Sequence, residues 1–295
     1  MIEQLAGRVA VITGAGGGLG REFARLAARS RMRLVLADVQ QDPLQATVQE
    51  LQRSGAEVSA EVVDVAQSAQ VARLADRAFG DFGAVHLLMN NAGVACGGYL
   101  WENSDKDWQW VLGVNLMGVV HGVQHFVPRM LDANARGEPG HIVNTASMAG
   151  WLTAPLMGAY NVSKHAVVAL SETLHHDLRL AQSTIGVTVL NPAFVPTGIA
   201  HSDRARPADL TNVSGPTRSQ QIAQANSEKA VSGGRISAAD VAAMTFDAIV
   251  ANRFYVFTHP QIMPTVQARF DAVMSGATPA DPYATRPSAR PAAPA

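Results

Sequence analysis

The stretch that decides the fold is Thr13-Gly14-Ala15-Gly16-Gly17-Gly18-Leu19-Gly20, which joins an apolar run at 9–13 to a helical pattern at 19–29. Glycines let the chain turn sharply and bring its backbone close to a ligand, because no Cβ stands in the way. The start of the helix behind them offers free N–H groups and a partial positive charge to an anion. A glycine-rich turn between a strand and a helix therefore predicts a dinucleotide-binding βαβ unit.

The rest of the chain repeats this rhythm of short β-branched runs and longer helical patterns. The predicted strands are 9–13, 34–37, 57–63, 85–90, 141–145, 186–190 and 254–257, and the predicted helices are 19–29, 43–54, 68–79, 106–134, 160–181, 237–252 and 264–275. Parallel strands joined by helices form a doubly wound α/β fold of the Rossmann type, with helices on both faces of the sheet. The sequence predicts one seven-stranded domain of this kind over residues 1–276.

Two segments depart from this rhythm. Residues 197–236 are polar and lack a dense apolar stripe, and we expect them to form a mobile substrate loop with short helices. Residues 277–295 are rich in proline and alanine, and we expect a flexible tail that takes no part in the chemistry.

Composition argues against several classes of function. With 23 basic and 24 acidic residues the net charge is −1, which gives no electrostatic reason to expect a nucleic acid or an anionic membrane as partner. The single cysteine, Cys96, cannot form an internal disulfide, and the first residues lack the apolar run of a secretory signal. No stretch approaches the ~18 uninterrupted apolar residues of a spanning helix. We therefore expect a soluble cytoplasmic protein.

The end of the second predicted strand indicates which dinucleotide is bound. Asp38 follows Gly20 by eighteen residues, where a carboxylate can accept hydrogen bonds from the hydroxyls of the adenosine ribose and repel a 2′-phosphate. Neither the glycine segment nor the residues just after Asp38 supply the arginine or lysine that a phosphate would favour. The pattern favours NAD over NADP.

A tyrosine and a lysine form the candidate proton-transfer pair. Tyr160 and Lys164 are spaced i to i+4 and share one helix face, and Ser147 precedes them just after the fifth strand. A phenol titrates near ~10, so its use as a base at neutral pH requires roughly 3 units of lowering, or about 4 kcal/mol. An ammonium at ~4 Å in an effective dielectric of ~20 supplies about that much. On spacing alone the pair also fits an ordinary solvated helix face.

Together these motifs resemble the short-chain dehydrogenase/reductase family in its single-domain form, over about residues 6–274. The family's TGxxxGxG loop is matched at 13–20, its NNAG strand end by Asn90-Asn91-Ala92-Gly93, and its YxxxK by Tyr160 and Lys164. Asn115 matches the helix asparagine of the family. Ala193 is a departure, because the family usually has glycine there, in a motif beside the nicotinamide.

The resemblance implies reversible hydride transfer between NAD and a secondary alcohol or ketone, as in an alcohol dehydrogenase. It implies a catalytic tetrad of Asn115, Ser147, Tyr160 and Lys164, in which Lys164 also holds the nicotinamide ribose. The implied cofactor-binding residues are Gly14, Gly18, Leu19, Gly20, Asp38, Asp64, Val65, Asn91, Ala92, Gly93, Tyr160, Lys164, Pro192, Val195 and Thr197. It also implies a homodimer or homotetramer, built through the helices at 106–134 and 160–181.

The substrate is the least determined part of the site. Apolar residues flank it and suggest a pocket for a medium to bulky apolar alcohol or ketone, namely Met148, Trp151, Leu152, Met157, Phe194 and Ile199. Two other functions stay open, an NADP-dependent 3-oxoacyl or carbonyl reductase and a non-catalytic dinucleotide sensor on the same fold. No metal site is expected, since His121 and His125 share a helix face without a third ligand at a fitting spacing.

Overall fold

A computed structural model of the chain describes residue 2 and residues 4–284. The strands are β1 Val9–Thr13, β2 Arg33–Asp38, β3 Val58–Val62, β4 Leu87–Asn90, β5 His141–Thr145, β6 Gly186–Asn191 and β7 Tyr255–Phe257. The helices are α1 Gly18–Arg29, α2 Gln41–Arg53, α3 Ser68–Phe82, α4 Asp105–Leu112, α5 Gly118–Ala135, α6 Gly158–Leu180, α7 Arg218–Ser232, α8 Ala238–Val250 and α9 Met263–Ser275. Much of the expected tail, residues 285–295, lies outside the described residues.

The seven strands form one parallel sheet in the order β3-β2-β1-β4-β5-β6-β7. The predicted doubly wound, seven-stranded sheet is therefore confirmed. The chain winds outward from β1 in one direction to β3 and then returns to add β4 on the other side. A crevice opens beyond the carboxyl ends of the strands where the order reverses, here between β1 and β4.

Strand β1 shows why the strands can be recognised as continuous apolar runs. All five of its residues are buried, with Ala10 and Ile12 in the core on one face of the sheet and Val9 and Val11 in the core on the other. Helices α1 and α8 cover the first face, and α3 and α5 cover the second. A strand buried on both faces has no polar side to alternate with.

The predicted long helix at 106–134 contains an irregularity that the sequence pattern did not indicate. Helices α4 and α5 are joined by a π-helical turn at Gly113–Met117, so the helix is continuous from Asp105 to Ala135. Such wider turns are rare and often lie at functional sites. Asn115 lies within this turn and is buried.

The same helix has an apolar composition. Within the described residues it is the one helix long and apolar enough to cross a bilayer, with a mean hydropathy of 1.2 over its most apolar window, half of which is buried in the fold. Core helices of water-soluble proteins share these properties.

The segment at 197–236 is more regular than expected. It contains the 15-residue helix α7, a 3₁₀ segment at Gly198–Ala205 that is kinked at His201, and a short 3₁₀ helix at Ala208–Leu210. Thr217 and Gln220 form a capping box that starts α7, but only Ser219 and Ala223 of the helix are buried. Because α7 buries so few residues, its sequence lacks the apolar stripe by which an amphipathic helix is recognised.

Candidate active site

A cleft of about 950 Å³ lies at the carboxyl ends of the strands, where the sheet order reverses. Its walls come from the glycine-rich turn after β1, the ends of β2 to β6, the start of α6 and the segment that follows β6. The fold therefore brings residues from widely separated parts of the sequence to one concave surface.

The glycine-rich turn is packed so closely that side chains would not fit. Gly14 has a φ of +68°, and a Cβ there would lie 2.9 Å from Ala92 Cα. A Cβ at Gly20 would overlap the carbonyl oxygen of Gly14, whereas at Gly17 no atom lies within 4 Å. The turn is thus fixed from behind and open toward the cleft, which suits backbone N–H groups that approach a pyrophosphate.

Thr13 and Asn91 hold this turn against the end of β4. The hydroxyl of Thr13 accepts hydrogen bonds from Asn91 N at 2.9 Å and Ala92 N at 3.1 Å. The Asn91 side chain donates in return to Thr13 O at 2.9 Å. Two segments 78 residues apart in sequence therefore form one rigid floor for the cleft.

Asp38 is oriented by two backbone groups. Its Oδ2 accepts from Gly16 N and its Oδ1 from Gln40 N, both at 2.9 Å. A Cβ at Gly16 would lie 2.9 Å from Asp38 Oδ2, so glycine is needed for the carboxylate to sit against the turn. The carboxylate lines the cleft beside the glycine-rich turn, where a dinucleotide would place its adenosine ribose.

Tyr160, Lys164 and Ser147 meet at the other end of the cleft. Lys164 Nζ donates to Thr145 O at 2.9 Å and lies 5.7 Å from the centre of the Tyr160 ring. Ser147 Oγ accepts from Ala149 N at 3.1 Å and donates to Pro192 O at 3.2 Å, which fixes its position at the ends of β5 and β6. The Ser147 hydroxyl also acts on the Tyr160 side chain, in the direction that lowers the pKa of the phenol.

Burial is the main cause of the shifted pKa values of Tyr160 and Lys164. Burial raises the pKa of Tyr160 above its usual value, and the hydrogen bond with Ser147 acts in the opposite direction. Burial also lowers the pKa of Lys164, from 10.5 to about 8. At neutral pH the site therefore holds a phenol beside an ammonium, which is the protonation state that can donate a proton to a carbonyl oxygen.

Asn115 fastens the π-turn to both neighbouring segments. Its Oδ1 accepts from Val94 N at 2.8 Å, and its Nδ2 donates to Val94 O at 2.9 Å and to Ser163 Oγ at 3.0 Å. Ser163 Oγ in turn donates to Tyr160 O at 2.8 Å. Asn115 thus links the segment after β4 to the helix that carries Tyr160.

Most of the residues predicted to bind a cofactor line this cleft. Those that do are Gly14, Gly18, Leu19, Asp38, Asp64, Val65, Asn91, Ala92, Gly93, Tyr160, Lys164, Pro192, Val195 and Thr197, together with Ser147. Gly20 packs behind the turn, and Asn115 lies behind Val94, so neither is part of the cleft surface.

The predicted substrate pocket requires correction. Of its six residues only Ile199 lines the cleft, and Met148, Leu152, Met157 and Phe194 do not. The prediction for Trp151 was wrong, because its Nε1 donates to Asn191 Oδ1 at 2.8 Å and its ring packs edge-on against Tyr255 and Phe257. A 3₁₀ turn at Met148–Gly150 separates Trp151 from Ser147 and directs its ring toward β7.

Residues 198–212, here called the lid, are held over the cleft by contacts that the sequence pattern does not indicate. Arg206 forms an ion pair with Asp107 of α4 at 2.6 Å, and its guanidinium lies 4.8 Å from the centre of the Trp110 ring. The side chains of Arg206 and Asp107 are 10% and 1% exposed. Asn212 Nδ2 also donates to Asp107 Oδ1, at 3.0 Å. The lid is therefore anchored to α4 by a buried ion pair, and nothing in its polar composition indicated this.

The predicted absence of a metal site rested on His121 and His125. His121 Nδ1 lies 2.8 Å from Val65 O, and His125 Nε2 lies 2.9 Å from Ser68 Oγ. No three His, Cys, Asp or Glu side chains within the described residues are grouped as a metal ion would require.

The fold and the glycine-lined cleft with its Tyr–Lys pair define the class of dinucleotide-binding oxidoreductases, and comparison with known proteins specifies the family. The family profile described as short chain dehydrogenase matches residues 8–208. The crystal structure of a short chain dehydrogenase/reductase from Burkholderia phymatum in complex with NAD is 54% identical, with a TM-score of 0.93 over 95% of this chain and 99% of the other.

Curated relatives agree. A CLA biosynthesis dehydrogenase/reductase of Lactiplantibacillus plantarum is 32% identical over 92% of this chain and 95% of its own length. A 1-deoxy-11-beta-hydroxypentalenate dehydrogenase of Streptomyces exfoliatus is 34% identical over 90% of this chain and 88% of its own length. The chain belongs to the short chain dehydrogenase family and is an oxidoreductase, as its motifs predicted.

Proposed function

We propose that the protein transfers a hydride between NAD(H) and a secondary alcohol or ketone of medium to bulky apolar character. The observation that carries this proposal is the convergence of Tyr160, Lys164 and Ser147 at one end of a cleft whose other end holds Asp38. A proton-transfer group and a ribose-binding carboxylate at opposite ends of one cleft suit a dinucleotide that reacts at its nicotinamide end.

The residues fit the proposed cofactor. The glycine-rich turn leaves room for a pyrophosphate at the start of α1, and the Asp38 carboxylate accepts hydrogen bonds on the side where the adenosine ribose would lie. Its negative charge opposes a 2′-phosphate, which favours NAD over NADP. The bound NAD of the Burkholderia phymatum relative supports the same choice.

A bound nicotinamide cofactor would supply the hydride acceptor for the carbinol carbon of an alcohol, or in its reduced form the hydride donor for the carbonyl carbon of a ketone. During oxidation Tyr160 Oη takes the hydroxyl proton of the alcohol, and during reduction it donates a proton to the new alkoxide. The positive charge of Lys164 favours the phenolate form of Tyr160, and Ser147 holds the substrate oxygen by a hydrogen bond. Asn115 keeps α6 in place relative to the segment after β4.

The substrate class rests on apolar side chains that line the cleft. Val94, Ala193 and Ile199 are among the residues that line the cleft, and the relative from Streptomyces exfoliatus is by name a dehydrogenase of a hydroxypentalenate. An apolar alcohol or ketone would bury carbon surface against these side chains.

The test is absorbance at the reduced-nicotinamide band across a panel of alcohols and ketones, run with NAD and NADP in parallel. We expect turnover with NAD, and a loss of at least about 100-fold in Tyr160→Phe, which removes the proton-transfer oxygen. Tyr255→Phe is the matched control, because it removes a phenol oxygen that bonds to Glu172 on the far edge of the sheet. Unchanged turnover in Tyr160→Phe contradicts the proposed mechanism, and a preference for NADP contradicts the cofactor.

We also propose that the protein is cytoplasmic and forms a homodimer or homotetramer, as the family resemblance implies. The sequence gives the chain a mass of 31.1 kDa, so light scattering should report two or four times that value. A mass equal to one chain contradicts the oligomer.

A further inference from the structure

The lid crosses the cleft from the glycine-rich turn to α4. Immediately before its start, Thr197 packs against the turn, since a Cβ at Gly18 would lie 3.2 Å from Thr197 Cβ. Farther along, the buried Arg206–Asp107 ion pair holds it to α4. Arg204 lies between these two points and lines the cleft.

Arg204 ties the lid to the segment that follows β2. Its Nη1 donates to Gly198 O and His201 O, both at 2.6 Å, which holds the guanidinium along the lid. Its Nε donates to Gln40 Oε1 at 3.1 Å, and Gln40 Nε2 donates back to Arg204 O at 3.5 Å. Two reciprocal hydrogen bonds thus join residues 164 positions apart across the mouth of the cleft.

Gln40 belongs to the same turn as Asp38. The backbone N–H of Gln40 donates to Asp38 Oδ1, so the contact with Arg204 lies beside the carboxylate proposed to hold the adenosine ribose. A dinucleotide in the cleft would have the lid over it, with this contact at the edge of its adenosine half.

We propose that Arg204 and Gln40 form a clasp that closes the lid over the adenosine half of the bound dinucleotide and slows its release. The proposal rests on the proposed function, because it takes a dinucleotide as the occupant of the cleft. The clasp is the contact that opens, since Arg204 is exposed whereas the Arg206–Asp107 pair is buried and stays closed. Breaking exposed neutral-to-charged hydrogen bonds costs far less than separating a buried ion pair.

The charge of Arg204 could act on the phosphates independently of the clasp, so the variants must separate the two effects. Gln40→Met removes the clasp and leaves the Arg204 charge in place. Arg204→Met removes the charge and the Nε–Gln40 hydrogen bond, and leaves only the 3.5 Å bond from Gln40 Nε2 to the backbone carbonyl of residue 204. Arg218→Met is the matched control, because Arg218 is an exposed arginine at the first position of α7, beyond the lid.

The experiment measures the rate at which NADH leaves the full-length protein, from the loss of its fluorescence on displacement by excess NAD in a stopped-flow instrument. We expect about fivefold faster release in Gln40→Met, the effect of one net hydrogen bond, and at least as large an increase in Arg204→Met. The double variant should be only slightly faster than Arg204→Met, well short of the product of the two single effects, and Arg218→Met should match the wild type. The melting temperature of the cofactor-free protein should stay within about 2 °C in all four variants.

Three outcomes overturn the clasp. Release at the wild-type rate in both single variants shows that the contact does not retain the dinucleotide. Faster release in Arg204→Met but not in Gln40→Met shows that the charge of Arg204, and not its contact with Gln40, retains the dinucleotide. Effects that multiply in the double variant show that the two residues act separately. If the wild-type protein binds neither NADH nor NADPH, the proposed function fails and the clasp fails with it, whereas binding without a change in release refutes the clasp alone.

Discussion

Lys164 shows how burial sets the chemistry of a single residue. It is 3% exposed, donates to Thr145 O and has its pKa lowered to about 8. The usual lysine is charged throughout the physiological range. Here the ammonium is charged below about pH 8 and neutral above it, so the proposed partner of Tyr160 titrates within the working range of an enzyme.

The pH dependence of ketone reduction should report this pKa. Reduction needs the phenol of Tyr160 and the ammonium of Lys164 at the same time, and raising the pH removes the proton from Lys164 first. We expect kcat/KM for NADH, at saturating ketone, to be flat up to about pH 7.5 and to fall roughly tenfold per unit well above pH 8, because kcat/KM reports groups of the free enzyme. Initial rates from pH 6 to 10 measure the profile. A flat profile up to pH 10 would mean that Lys164 keeps its proton and that burial does not control it.

A site residue could be recognised from the sequence when its motif falls at the expected position on a predicted strand or helix. Tyr160 and Lys164 are one turn apart on a helix, and Asp38 ends a strand, so spacing and element position together indicated them. Trp151 was misplaced because four residues of separation from Ser147 say nothing about a 3₁₀ turn between them. Gln40 and Arg204 meet across 164 positions, and no local pattern reports a contact of that kind.

At the scale of elements, strands and helices with large buried faces were predictable and the lightly packed ones were not. Strand β5 was predicted with both ends correct, since all five of its residues are buried. Helix α8 was indicated by its capping box, Ser237 with Asp240, which the structure contains. Helix α7 was not predicted because it buries only two residues. The π-turn was not predicted because its sequence does not break the helical pattern.

The junction between the lid and α4 should depend on the Arg206–Asp107 pair. Arg206→Met would leave the Asp107 carboxylate, 1% exposed, without its cation. We expect the free energy of unfolding to fall by about 3 kcal/mol, and the lid to become a site of limited proteolysis. Urea unfolding and proteolysis with mass analysis measure these effects.

A second substitution distinguishes loss of the pair from loss of a side chain. Adding Asp107→Asn to Arg206→Met removes the uncompensated charge and should restore part of the stability. Arg204→Met, an exposed arginine six residues from the start of the lid, should cost less than about 1 kcal/mol. An Arg206→Met protein as stable as the Arg204→Met protein would contradict the anchoring role.

At the scale of the whole molecule, a buried histidine links stability to pH. His141 begins β5, is 0% exposed, and lies with its Nε2 2.8 Å from Thr188 Oγ1, which donates to Arg253 O at 2.7 Å. The ring therefore connects β5 to β6 and to the residue two positions before β7. Burial lowers the pKa of His141 from 6.5 to about 3.

Acid should weaken the fold through this residue. Between about pH 3 and 6.5 the unfolded chain binds a proton at His141 that the folded protein does not, so the free energy of unfolding falls as the pH falls below 6.5. From pH 6.5 to 5 the expected loss is about 2 kcal/mol at most. His141→Gln keeps a donor near Thr188 and removes the titration, so its loss over the same interval should be smaller by about that amount. Equal losses in the two proteins, measured by urea unfolding, would show that His141 does not govern acid stability.

Because of the π-turn at Gly113–Met117, this segment should tolerate substitutions better than changes in its length. It holds one residue more than a regular α-helical turn would at the same place. Deleting a residue there would return the helix to the α form and rotate everything beyond it by about 100° relative to what precedes it. Either the hydrogen bond between Asn115 and Val94 would then be lost, or the buried face of α5 would no longer pack against the sheet. Insertions and deletions in related chains should consequently fall in the loops on either side of this helix, while exchanges of one residue for another remain possible within it.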